Sequence, residues 1–249
     1  MMSTHTLFEV LVAMHICTGT VGLISFWVPV AGRKGGAVHA RFGRVFTMMM
    51  LATGSVAVGI ALTTLSDPVA THPHLVDHPD FGDPALIAGI FGWMMLYLAT
   101  LTINLAWQGW LCISDRRGRT ANRAWHNLLL QVLLTAAAGA CAWQGWRLGQ
   151  PLMLAISMVG FATVATNLWY IYKPRPRPVD RIKEHIKSLV GAGISVYTAF
   201  FAFGAVRLVP ELALTPALWS VPLITGLTLI IYHQRAVTMR FRARTAATA

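Results

Sequence analysis

Charged side chains are scarce in this chain. Only 12% of its 249 residues are Asp, Glu, Lys or Arg, about half the share usual for a soluble domain. A soluble globular domain is therefore excluded. Cysteine is also rare: Cys17, Cys112 and Cys141 form no CxxC pair, which rules out a disulfide framework. No Lys or Arg precedes Arg33, so the N-terminal apolar run lacks the basic flank of a secretory signal. It is also too long for a signal core and reads as a retained first span. GxSxG, HExxH, phosphate-loop and dinucleotide motifs are all missing, and no apolar run holds two carboxylates. Those absences argue against hydrolase and kinase chemistry and against carboxylate-driven ion coupling.

What the chain does have is apolar sequence, 55% of its residues, in runs of the length that crosses a bilayer. Seven runs are expected to span: Leu7–Val30, Val45–Leu65, Leu86–Trp107, Leu128–Trp146, Leu152–Tyr172, Leu189–Val209 and Leu214–Tyr232. They must be helices, because lipid offers no partner for unpaired backbone groups and the runs exceed the length of barrel strands. The expected fold is an all-α integral membrane protein, a seven-helix transmembrane bundle forming one domain over residues 1–249.

The basic residues orient it. Eighteen of the twenty Lys and Arg fall in the first, third and fifth connections and the tail, leaving only Arg147 and Arg207 on the other side. Cytoplasmic connections carry such an excess, so the N-terminus is expected outside and the C-terminus inside. The second connection, residues 66–85, has four aspartates and no cation. The net charge of +11 thus reflects topology, not nucleic-acid binding. The expected partners are the lipid bilayer and its anionic headgroups, with a membrane-protein partner or a second copy also open. The proline-dense segment 173–183 reads as a stiff basic loop on the inner side. Trp107, Trp110, Trp125 and Trp169 near inner edges, and Trp143, Trp146 and Trp219 near outer ones, suit interfacial depths.

Histidines are the candidate chemistry. His39, His126, His185 and His233 share an inner level, and imidazoles from different helices can converge on a transition metal or haem iron. Glu184, Asp180, Asn122, Asn127 and Gln131 are near enough in sequence to fix their tautomers. In the outer connection, His72, His74, His78 and Asp77, with Asp80 and Asp83, suit a divalent metal. His15 lies roughly 12 Å into the first span by the helical rise. There it can relay protons, bind a quinone oxygen or act as an axial ligand. Other readings stand beside all three: at the inner level, binding of lipid or an anionic ligand or interfacial histidines that cap helices; in the outer connection, a flexible polar loop; and for His15, a neutral histidine hydrogen-bonded to a neighbouring helix.

The run HICTGTVGLISFWVPVAGRKGGAVHARFGRVFTMMM resembles a bacterial family of predicted membrane proteins of unknown function. The shared pattern is His15, Gly22, Arg33-Lys34-Gly35, His39 and Gly43-Arg44. The segment EHIKSLVGAGISVYTAFFAF is similar to a family segment in which His is followed by Thr-Ala-Phe, here His185 and Thr198-Ala199-Phe200. The resemblance implies a multi-pass protein of the bacterial inner membrane and singles out His15, His39 and His185, without implying an activity. The leading expectation is a membrane protein that binds a metal or haem through histidines, in electron transfer or cofactor handling. The alternatives are a transporter or permease with His15 on its pathway and a non-catalytic assembly factor or sensor; enzymatic activity is left undecided.

Overall fold

The computed structural model describes residues 3–79, 81–115, 119–204 and 216–247, and among these it contains helices and no strand. Asp80, Arg116, Arg117, Arg207 and the ends expected at Val209 and Leu214 lie outside the described residues. Among the described residues, seven long helical runs are present. We name them α1 (Thr4–Ala31), α2 (Ala37–Ser66), α3 (Pro84–Ser114), α4 (Trp125–Arg147), α5 (Pro151–Tyr172), α6 (Pro178–Ala199) and α7 (Pro216–Ala246).

The first five, α1 to α5, are long and apolar enough to cross a membrane, as fits a multi-pass membrane protein. The other two carry more charge. Asp180, Arg181, Lys183, Glu184 and Lys187 crowd the first half of α6, and Arg235, Arg240 and Arg242 occupy the second half of α7.

Local chemistry sets the ends. Ser3 caps α1 by accepting the Thr6 N–H at 3.1 Å. Gly149 adopts a left-handed φ of 63° between α4 and α5, and Pro151 then opens α5, where a missing N–H costs nothing. Pro178 opens α6 in the same way, and Asp180 accepts the Arg177 N–H at 2.9 Å. The proline-dense stretch therefore ends at residue 177, and the rest of the expected loop is already helix. The outer connection, where a flexible polar loop is one expectation, contains short helical turns. It folds a helical turn at Pro68–Thr71, capped by Asp67, and a tighter one at Pro73–Leu75.

The chain divides into two compact units. The first, Met1–Asn104 and Leu130–Val164, joins α1 to α2 through small residues. Gly54 illustrates the closeness required inside this unit: a Cβ there would lie 2.6 Å from Ile103 Cγ1 and 3.3 Å from the Ala99 carbonyl oxygen. α3 has a π-helical stretch at Ala88–Met94 with Gly89 and Gly92 buried. Tyr97, fully buried, donates to the Ile156 carbonyl at 2.6 Å. The second unit, Leu105–Leu129 and Ala165–Ala249, contains the C-terminal part of α3, the start of α4, the end of α5, and α6 with α7.

Candidate functional site

Apolar helices leave few polar side chains to bury, and in the second unit those few collect together. Gln108, Asn122, Asn127, Asn167 and Ser188 are fully buried, and Glu184 nearly so. Gln108 and Cys112 are four apart on α3, and Glu184 and Ser188 are four apart on α6, so each pair lines one helix face. Asn122, on the short helix Thr120–Arg123, donates to Gln108 Oε1 at 3.3 Å. Asn127 donates to the Asn122 carbonyl at 2.7 Å.

An ion pair sits at this centre. Lys187 Nζ donates to Glu184 Oε1 at 2.7 Å, Asn167 Oδ1 at 3.0 Å and Thr166 Oγ1 at 2.9 Å. Three acceptors match the three ammonium protons of this half-buried lysine. Other polar atoms are not matched. Gln108 Nε2, Asn122 Oδ1 and Ser188 Oγ are buried and meet no hydrogen-bond partner among the described residues. The Glu184 carboxyl lies near the Gln108 amide, yet outside hydrogen-bonding geometry. Buried donors and acceptors are normally satisfied. A site offering an amide N–H, an amide oxygen and a hydroxyl beside a fixed charge pair suits a small polar guest.

The expected site residues fall as follows. His185 Nδ1 lies 2.9 Å from the Gly109 carbonyl oxygen; a carbonyl only accepts, so the proton is on Nδ1 and Nε2 is the lone-pair nitrogen. His15 is held the same way on the Thr53 carbonyl at 3.2 Å, and Thr53 donates to Thr18 Oγ1 at 2.9 Å. His39 donates to the Pro29 carbonyl at 3.2 Å. His126 is exposed beside Trp125 and Trp107, with ring centroids 5.9 and 6.3 Å away, and His233 is half-buried against Tyr232. Among the described residues no three His, Cys, Asp or Glu side chains gather as a metal-binding group. His126, His185 and His233 are therefore not assembled into one.

The outer set is not assembled either. His72 is buried with its ring 5.0 Å from Phe8 and 4.5 Å from Phe91, and its Nδ1 is 3.1 Å from Thr71 Oγ1. His74, Asp77 and His78 are exposed, with His78 against Phe81. The His72 and His74 rings lie side by side, with centroids 6.0 Å apart.

Gln108 and Lys187 were missed as site residues by sequence reasoning. The signal was present in Lys187 following Glu184 by three on a helix, but Lys187 also reads as one more inner-side cation. No protein-family model, curated protein or solved structure matches the chain.

Two outcomes follow. Lys187→Met leaves Glu184 as a buried charge without its cation and should lower stability in detergent by about 3 kcal/mol. Adding Glu184→Gln to it should recover part of that loss, as thermal unfolding would report; additive losses would mean the two side chains do not interact. For His72, burial is the larger cause and the neighbouring His74 the smaller in pulling its pKa down from 6.5 to about 4. The folded chain thus resists a proton that the unfolded chain accepts. The ring's contribution is complete above pH 6.5 and is lost as pH falls from there towards 4. The thermal midpoint should decline across that window, and His72→Phe, which keeps the aromatic packing, should flatten the decline. Equal slopes in both proteins would contradict the assignment.

Proposed function

We propose that this chain is a seven-span protein of the bacterial cytoplasmic membrane, N-terminus outside and C-terminus inside, that acts as a permease for a small polar solute. The solute binds at the centre formed by Gln108, Asn122, Glu184, Lys187 and Ser188. The observation that carries this reading is the buried Glu184 paired with the half-buried Lys187, beside three buried polar atoms without partners among the described residues. Ionisable groups inside a membrane protein are expensive and mark solute or ion pathways. With one carboxylate already neutralised by one ammonium, the centre suits a guest with both donors and acceptors better than a bare ion. His15, held on Thr53, is a hydrogen-bonding tie between α1 and α2 in this account.

A second reading has its own support. His15, His39 and His185 all donate through Nδ1 to backbone carbonyls, the arrangement that orients a ligating imidazole. Haem or metal held through Nε2 is the chemistry that arrangement serves.

One experiment separates the two. The purified protein is recorded by visible spectroscopy and its thermal midpoint is then measured against a panel of amino acids, small carboxylates, amides and sugars. The permease reading expects no Soret band and a midpoint raised by at least one solute. Saturation at 100 times Kd adds about 2.7 kcal/mol. Ser188→Ala, a small change that spares the ion pair, should abolish that rise. A Soret band lost in His185→Ala establishes the second reading instead. A colourless protein that elemental analysis shows to be metal-free and that no solute stabilises contradicts both.

A further inference from the structure

Apart from the polar centre, the second unit has a basic and aromatic surface where α4 begins and α5 finishes. Arg119 donates to the Tyr170 and Lys173 carbonyls at 2.5 and 3.0 Å, and Arg123 to the Ile171 carbonyl at 3.3 Å. Each guanidinium also lies over a tyrosine ring, Arg119 over Tyr170 at 5.8 Å and Arg123 over Tyr172 at 5.9 Å. The two cations are thus fixed in place before any ligand arrives. Arg123 is exposed and uses one of its five N–H donors on Ile171. Next to these residues in the chain, at the start of α4 and the end of α5, are rings that the protein does not cover: Trp125 is 76% exposed, Trp169 72% and Tyr172 57%.

We propose that this surface binds the phosphodiester headgroup of an anionic phospholipid. Guanidinium matches phosphate oxygens in a planar fork. Indole and phenol rings prefer the depth at which headgroups meet acyl chains. A fixed arginine pair with two bare tryptophans at the ends of apolar helices presents both halves of a lipid with the correct polarity. A soluble anion would use the arginines and leave the indoles exposed to water. Basic recesses among membrane helices take anionic headgroups in this way. A zwitterionic lipid brings a cation of its own and should bind less well. The inference needs only that this end lies at a membrane surface, so it stands or falls apart from the solute reading.

The test uses the full chain in detergent with phosphatidylglycerol or phosphatidylcholine added, and counts retained lipid by native mass spectrometry. Phosphatidylglycerol should be retained about tenfold more than phosphatidylcholine. Arg123→Gln should lower that retention about fivefold, a factor that corresponds to one cation near the surface. Trp169→Leu, at an exposed position where folding is not at risk, should lower it as well. Trp146→Leu, an exposed tryptophan in the other unit, should change nothing. Equal retention of the two lipids overturns the proposal, as does unchanged binding in Trp169→Leu. Displacement of the lipid by millimolar inorganic phosphate also overturns it, by showing a soluble-anion site.

Discussion

A helix leaves its last four carbonyls without an intrahelical donor, and in this chain the loop cations supply donors. At the end of α1, Gly32 N–H takes the Val28 carbonyl, Lys34 takes those of Pro29 and Val30, and His39 shares Pro29. At the end of α5, Arg119 and Arg123 take Tyr170, Ile171 and Lys173. Positive charge also suits the negative end of a helix dipole. Basic side chains of the connections therefore finish helices, α1 from the loop that follows it and α5 from a segment earlier in the chain. In the proposed topology the basic clusters act twice, on orientation and on helix termination.

That double role explains why the polar centre is built where it is. Arg119 and Arg123 tie the segment before α4 to the end of α5. Asn122 lies on that tied segment and reaches Gln108, and Asn167 near the end of α5 reaches Lys187. The charge pair on α6 is therefore met by amides whose backbones are already anchored. Loss of the arginine contacts would loosen the centre without touching any residue in it.

Helix positions were legible in the sequence because they follow from hydropathy along the axis. α4 and α5 begin and end within three residues of the expected runs. Starts next to basic loops were less so: α2 opens at Ala37 instead of Val45 and α6 at Pro178 instead of Leu189. Charged residues past the hydrocarbon edge remain helical, and a hydropathy criterion stops before them. For the histidines, azimuth was not readable. Nothing in the sequence says that His126 faces outward, that His72 lies between Phe8 and Phe91, or that His185 meets Gly109 across helices. Such pairings depend on which helix lies beside which.

The most direct test is hydrogen exchange across residues 166–177 in the wild type and in Arg119→Gln, in detergent at fixed pH. If the guanidinium terminates α5, amides of the last turn and the following loop should exchange about tenfold faster in the variant, the equivalent of losing about 1.4 kcal/mol of local protection. The rest of α5 should be unchanged. Identical protection in the two proteins would contradict the account.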